Sequence, residues 1–289
     1  MKPLVSICVP TYNGSEFLNE ALDSVKSQTY SNIEVIISDD ISKDDTLEIV
    51  EDFKNKVDFP VFMYKHNPSG IGANWNNCVV KANGDFIKFL FQDDLLFPDA
   101  ISEMVKIFNY EKECAIVSCK RNILIEETDK KNGHEWVKTY GNLQKNLKHK
   151  SEGKFTLNKN YLNHINFAKE PLNIIGEPTC TLIKKSIFSK IGYFDERLEQ
   201  ILDFEFYCRV LKKYKIIILD KPLVSFRIHA NQATQRNNNR KIIDHELFPR
   251  ILYSDFFWHL NSKEQRKLLN RFSAIYRKYL VVRNSFRKR

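Results

Sequence analysis

The chain has 289 residues, 43% of them apolar and 28% charged, and a formal net charge of +9. That suits one large α/β domain with an appendage, or two small domains, with ample apolar material for a core. Six scattered cysteines, with no CxxC pair and no zinc spacing, argue against a disulfide framework and for buried reduced thiols.

The elements follow a rhythm. Residues 4–9 read as a buried strand, and Gly14-Ser15 opens a helix with Phe17, Leu18, Ala21, Leu22 and Val25 on one face. Residues 33–38 make a second strand, 44–56 a helix, 61–65 a third strand and 71–82 a helix. Residues 85–91 make a fourth strand, and Pro98 suits the first turn of the next helix. Strand–helix alternation of this kind predicts an α/β fold with a mostly parallel, twisted sheet and helices on both faces. Thr11-Tyr12-Asn13, Asp39-Asp40 and Gln92-Asp93-Asp94 all fall at strand carboxyl ends, where such sheets bind ligands.

After residue 115 the rhythm changes. Residues 115–127 predict one or two strands, and 128–154 a polar loop or ragged hairpin. Residues 174–183 and 215–228 read as extended, with helices at 186–191 and 202–213 between them. Residues 231–240 read as a polar loop or linker. Helix then returns over 241–259, breaks at Asn261, and resumes in a last helix that Ser262 and Gln265 would open as a capping box.

Asp93 and Asp94 are adjacent carboxylates after an apolar strand. Either they share a divalent metal bridging phosphate oxygens, or they sit in a solvated turn capping the next helix. Asp39-Asp40 could accept a nucleobase N–H or a ribose hydroxyl, or could be another capping turn.

The order of elements carries a resemblance. Val5 to Asn13, Ala21 to Tyr30 and Ile33 to Asp40 resemble the inverting family-2 glycosyltransferases, bacterial surface-polysaccharide type. So do Gly70 to Asn76, Gly84 to Asp94, Gly176 to Thr179, Ile191 to Glu196, Asp203 to Arg209 and Phe226 to His229.

The resemblance spans about residues 3–235 and implies an A-type glycosyltransferase fold: a Rossmann-like sheet plus C-terminal helices. The implied division is a catalytic domain over 1–235, with a nucleotide-binding half at 1–112 and an acceptor half at 113–235. A basic helical extension follows at 236–289. The implied reaction moves a sugar from a nucleotide-diphosphate donor to a saccharide or lipid-linked saccharide acceptor, with Mn2+ or Mg2+. UDP-sugar is favoured, and dTDP-sugar next.

By the same match, Pro10, Thr11, Tyr12, Asn13 and Asn76 would line the nucleotide. Asp39 would take the pyrimidine N3–H, and Asp93 would lie near ribose or metal. Asp93 and Asp94 would hold the metal, with His229 either completing its shell, contacting the diphosphate or lying on polar surface. Asp203 would be the catalytic base, although a helix-capping role suits its position too.

Four places depart from the family pattern. Phe91 stands where the first Asp of a DxD is commonest, Ile41 where Gly usually follows Asp40, Trp75 where many members carry Arg, and Leu202 where Glu usually precedes the base.

Residues 240–289 hold 13 Lys and Arg against 4 Asp and Glu, so the whole net charge sits there. Leu268, Leu269, Phe272, Ile275, Tyr276 and Tyr279 fall on one helical stripe. Arg266, Lys267, Arg271, Arg277, Lys278 and Arg283 fill much of the rest, and Phe256, Phe257 and Trp258 precede them. Two expectations stand side by side: a tail resting on an anionic membrane surface, or a helical hairpin packed on the domain. No nucleic-acid motif accompanies the charge. The first apolar run is too short for a signal-peptide core or a membrane span, so the expectation is a cytoplasmic protein, peripheral on the inner membrane face if the tail binds there.

Two rival readings suit the sequence less well. A nucleotidyltransferase usually needs a Gly-rich phosphate loop with Lys or Arg near the first strand, and Pro10-Thr11-Tyr12-Asn13-Gly14 stands there instead. A non-catalytic nucleotide-sugar-binding module would not need Asp93, Asp94 and Asp203 together.

Overall fold

The computed structural model describes residues 2–126, 130–147, 151–232 and 241–286. Among the described residues, nine strands form one sheet. In chain order they are β1 (Val5–Thr11), β2 (Ile33–Asp39), β3 (Val61–Lys65), β4 (Phe86–Phe89), β5 (Leu95–Leu96), β6 (Cys114–Ile125), β7 (Lys154–Leu157), β8 (Thr181–Lys184) and β9 (Lys215–Ile228). The sheet order is β3-β2-β1-β4-β8-β6-β9-β5, with β7 also on β9. Strands β3, β2, β1 and β4 run parallel, β8 runs against both β4 and β6, and β6 and β9 are again parallel.

Apolar alternation places a core on each face. Val5, Ile7 and Val9 of β1 point to one side with Ile33, Val35 and Ile37 of β2. There they meet α1 (Leu18–Lys26), α2 (Thr46–Lys54) and α4 (Ala100–Tyr110). Cys8, Ile36, Ile87 and Phe89 point to the other side. They meet α3 (Ile71–Lys81), α6 (Ser186–Ile191), α7 (Leu202–Leu211) and the C-terminal helices. Each fully buried aliphatic or aromatic side chain contributes about 1.5–3 kcal/mol, so a two-faced core fixes the sheet on which the site is built.

Strand–helix alternation from β1 to α4 is as the sequence predicts, except that the short β5 intervenes between β4 and α4. Beyond α4, four expectations need correction. The polar stretch 128–154 contains a helix, α5 (Lys130–Tyr140), then β7. Trp136 of α5 stacks on Phe226 of β9 at 5.6 Å, and the Arg121 guanidinium lies over both rings. A tertiary contact thus holds a helix whose own sequence is polar. Residues 127–129 and 148–150 of that stretch, and 233–240 of the expected linker, lie outside the described residues.

The helix expected over 241–259 is shorter. It is α8 (Asp244–Ile251), followed by a π turn (Leu252–Phe256) and a 3-10 turn (Phe257–His259). Pro249 lies inside α8 and cannot donate to the His245 carbonyl one turn back. Arg271 donates to that carbonyl instead at 3.1 Å, docking the next helix.

That next helix, α9 (Ser262–Phe272), is capped by Asn261 rather than by Ser262. The Asn261 side chain accepts from the N–H groups of Lys263 and Glu264, from an extended backbone at φ −66, ψ 157. Gln265 donates to the Phe257 carbonyl.

The expected single last helix is two, because Ser273 adopts a non-helical φ −100, ψ 109 before α10 (Ala274–Phe286). The apolar stripe is therefore split. Leu268 is buried and Phe272 rests on Tyr253, whereas Ile275 is 83% exposed. Arg283 lies beyond the residues whose side chains are described. No helix among the described residues is long and apolar enough to cross a membrane.

Candidate active site

Strands β1 and β2 end side by side, with Thr11 opposite Asp39. Thr11 Oγ1 donates to Asp39 Oδ1 at 2.8 Å. Beyond β2, Ser42 donates its N–H to Oδ2 and its hydroxyl to Oδ1. Asp39 is fully buried and accepts from three donors. Its neighbour Asp40 keeps some exposure and lies 2.5 Å from His66 Nδ1. Burial raises the Asp40 pKa, and His66 and Asn74 pull it down. Of the pair, Asp40 is the carboxylate with a surface to offer a ligand.

The turn after Asp40 is made by Ile41 at φ +59, in the left-handed region. A β-branched residue there is strained, which explains why Gly is the commoner choice. The three bonds from Thr11 and Ser42 to Asp39 hold the turn regardless.

Pro10 is half-buried near the end of β1, and Tyr12 is 49% exposed beyond it. Gln92 clamps Tyr12 from the neighbouring loop, accepting from its N–H at 2.9 Å and donating to its carbonyl at 3.3 Å. A Cβ at Gly14 would fall 2.4 Å from Gln92 Oε1, so the clamp needs glycine there. Asn13 sits at φ +47 and ties the two loops, donating its N–H to Ser42 Oγ and accepting from Lys43 N–H.

Asn76, expected at the nucleotide, is spent elsewhere. Its amide donates to the Phe194 carbonyl and Glu196, and its oxygen accepts from the Phe194 N–H. The side chain nearer the floor is Asn74, whose Nδ2 lies 3.4 Å from the Thr11 carbonyl and whose Oδ1 is buried without a partner.

The Asp93-Asp94 turn is fastened from the end of β9. Strand β5 pairs antiparallel with the end of β9, through Leu95–Ser225 and Leu96–Val224. Farther along that run, Arg227 donates its backbone N–H to Asp94 Oδ1 at 3.1 Å and its Nε to the Asp93 carbonyl at 3.0 Å. Its guanidinium also reaches Glu20 and Glu126 and lies over the Phe17 ring.

Two residues on, His229 Nε2 stands 3.0 Å from Asp93 Oδ2, and its Nδ1 is buried without a partner. Ser225, Arg227 and His229 form a period-two polar row in an otherwise apolar stretch. That row is the sequence signal that marks Arg227.

Asp94 is fully buried, and its Oδ2 has no hydrogen-bond partner. Burial, and then the neighbouring Asp93, push its pKa up to about 8. It supports the turn from below, whereas Asp93 and His229 present ligand atoms together. One carboxylate and one imidazole suit a divalent cation that keeps further positions for phosphate oxygens and water. Among the described residues no group of three such side chains is assembled to hold an ion.

Asp203 opens α7 and is 7% exposed. Its Oδ1 accepts from the Phe204 N–H at 2.7 Å, and its Oδ2 accepts from Asn173 Nδ2 at 2.8 Å. Burial pushes its pKa up to about 7, against those hydrogen bonds. The preceding loop is pinned by Asp244 of α8, whose carboxylate accepts from the N–H groups of Glu199, Gln200 and Ile201.

Gly72 in the first turn of α3 lets that helix close on Leu202 and Glu196, since a Cβ there would lie 3.1 and 3.2 Å from them. The start of α3, beside Thr11, thereby abuts the start of α7. Leu202, standing where an acid is usual, fills this contact and is 1% exposed. Trp75 and Phe91 prove to be one departure rather than two: their rings stack at 5.0 Å.

Residues 6–192 match the sequence pattern of Glycosyl transferase family 2. An uncharacterized glycosyltransferase of Rickettsia prowazekii is 31% identical over 247 residues, covering 82% of this chain and 68% of the relative. Among solved structures, Staphylococcus aureus TarS 1–349 in complex with UDP-GlcNAc superposes with a TM-score of 0.58 at 18% identity, over 93% of this chain and 79% of that one. The mannosyltransferase PcManGT of Pyrobaculum calidifontis, in complex with GDP-Man and Mn2+, superposes with a TM-score of 0.57 at 14% identity, over 99% and 80%. These likenesses establish the A-type glycosyltransferase fold.

Proposed function

Because the chain belongs to glycosyl transferase family 2, we propose that it moves a sugar from a nucleotide-diphosphate donor to an acceptor hydroxyl with inversion. The observation that carries this reading is the Asp93–His229 pair, set on the same sheet edge as the Thr11–Asp39 floor. Tyr12, Asn13 and Asp40 receive the base and ribose. Asp40 takes the N3–H of a uracil or thymine, with Asp39 bracing the turn beneath it. The fold alone does not choose the base, since its two neighbours carry UDP-GlcNAc and GDP-Man. UDP-sugar remains favoured, with dTDP-sugar next.

Mn2+ or Mg2+ fits the Asp93–His229 pair, and PcManGT was solved with Mn2+. When bound, such an ion neutralises the departing diphosphate, so the leaving group needs no proton. Asp203 removes the proton of the acceptor hydroxyl. The acceptor oxygen bonds to the anomeric carbon from the face opposite the diphosphate, and the bond to the diphosphate oxygen breaks with its electron pair. A base with a pKa of about 7 is matched to work near neutrality.

For the acceptor we favour a saccharide, free or lipid-linked. The tail supports a membrane-facing role: Trp258 is 88%, Ile275 83% and Tyr279 55% exposed within a strongly basic segment. We keep the division into a catalytic region over 1–235 and a basic extension over 236–289, peripheral on the cytoplasmic membrane face.

Calorimetry with UDP, dTDP, GDP and CDP, with and without Mn2+, tests the donor reading. Metal-dependent binding of UDP or dTDP, lost on Asp93→Ala, is the expected result. No binding of any diphosphate would overturn it. Flotation with anionic liposomes, lost on deleting residues 262–289, tests the tail, and no binding at low salt would end that part.

A further inference from the structure

Strands β6 and β9 both begin at the sheet edge opposite the donor site. A cleft of about 510 Å³ opens there. Lys212, Lys213 and Lys215 line it from the turn between α7 and β9. Lys112 joins from before β6, Lys184 from the end of β8 and Lys190 from α6. Lys159 faces them from a 3-10 turn, and Glu113 is the one acid in the lining. We propose that this cleft is a second ligand site, for a soluble molecule bearing two or more phosphate groups.

Glu113 is already taken by Lys215 at 2.7 Å. Lys212 is turned to the Asp255 carbonyl and the Phe256 ring. Lys112, Lys159, Lys190 and Lys213 have no ion-pair partner among the described residues. Gathering like charges around a concave, low-dielectric wall costs free energy that an anion would relieve. Two groups register the crowding. Burial lowers the Lys184 pKa, with Lys112 and Lys190 adding to the effect. Burial lowers that of His259, with Lys212 and Lys159 adding.

Lysine ammonium groups bind phosphate as point charges, and their spread around the wall asks for more than one such group. Asn158, Asn160 and Ser186 add hydrogen-bonding groups, and Tyr214 an apolar surface. A concave cleft takes in a ligand, whereas a flat bilayer would touch only its rim. Neither the donor reading nor the tail reading is needed for this site.

The test is titration of the full chain with inorganic tripolyphosphate, at low salt and with EDTA. Binding should survive added UDP. The variant Lys112→Gln/Lys159→Gln/Lys190→Gln/Lys213→Gln should bind at least tenfold more weakly. The control Lys54→Gln/Lys56→Gln/Lys138→Gln/Lys278→Gln, with the same loss of charge elsewhere, should stay within twofold of the parent. No binding by the parent, equal weakening in the control, or displacement by UDP would each overturn the site. In a parallel arm with phosphatidylglycerol vesicles, a parent that ignores tripolyphosphate but binds vesicles through these four lysines would assign the cleft to lipid and overturn the proposal.

Discussion

Asn173 Nδ2 donates to Oδ2 of Asp203 over 2.8 Å, while Asn173 Oδ1 accepts from the N–H groups of Ile175 and Gly176. One side chain thus fixes both the loop before β8 and the proposed base. Its bond favours the charged carboxylate and holds down a pKa that burial pushes up to about 7. Activity should therefore fall as pH drops through about 7. Asn173→Ala should move that acidic limb to higher pH, with the plateau reduced less than the low-pH rate. Asp203→Asn should lower kcat by about 10²–10⁴ and abolish the limb. A pH–rate profile of all three proteins checks this, and an unmoved limb in Asn173→Ala would count against the coupling.

Asp93→Ala and His229→Ala should both weaken diphosphate binding in Mn2+, and should differ little from the parent in EDTA. The pair presents its ligand atoms together, so each change removes part of the same site. Calorimetry with and without chelator reads the difference. An equal loss in EDTA would mean that the residues act on the diphosphate directly.

Ile41→Gly should stabilise the protein by about 1 kcal/mol, because it removes the cost of a left-handed β-branched residue at φ +59. Ile41 is 50% exposed, so little packing is lost. Urea denaturation would show the midpoint rising with an unchanged slope.

Asp94→Asn tests the buried acid. The folded protein holds that carboxyl's pKa near 8, above its unfolded value. The parent's stability contribution from this group is therefore complete at low pH and declines as pH rises toward 8. The neutral variant escapes the decline. Its melting temperature relative to the parent should be higher at pH 8 than at pH 5, measured in chelator.

Asp244→Ala leaves three backbone N–H groups without their acceptor. A loss of roughly 2–4 kcal/mol is expected from such a buried anchor. kcat should fall further than donor affinity, because the loosened loop leads to Asp203 and not to Asp93. Equal effects on both would point to general destabilisation.

The first half of the fold is legible because its strands are apolar on both faces and its helices carry an apolar stripe at regular spacing. Thr11, Asp39, Asp93 and Asp203 are visible as polar residues at element ends. What escapes the sequence is pairing over distance. Nothing local says that two residues, Leu95 and Leu96, form a strand on β9, yet that pairing brings Arg227 and His229 to the acidic turn.

Asn76 looks like a binding residue in sequence and is a fastener in space, while Asn74, two positions earlier, faces the floor. Helix α5 is hidden because its polar sequence is held by tertiary contacts, Trp136 on Phe226 and Arg121 over both rings.

Asp244 lies beyond Asp203 in the chain, on the far side of all of β9, and Phe248 of the same helix packs on Phe204 beside the base. During synthesis, then, the segment carrying the proposed base emerges before the anchor that orders its loop. A polypeptide ending before α8 would lack both the acceptor for those three N–H groups and the Phe248 ring against Phe204. Any fusion or truncation scheme should therefore spare residues 241–260 before it spares the basic end.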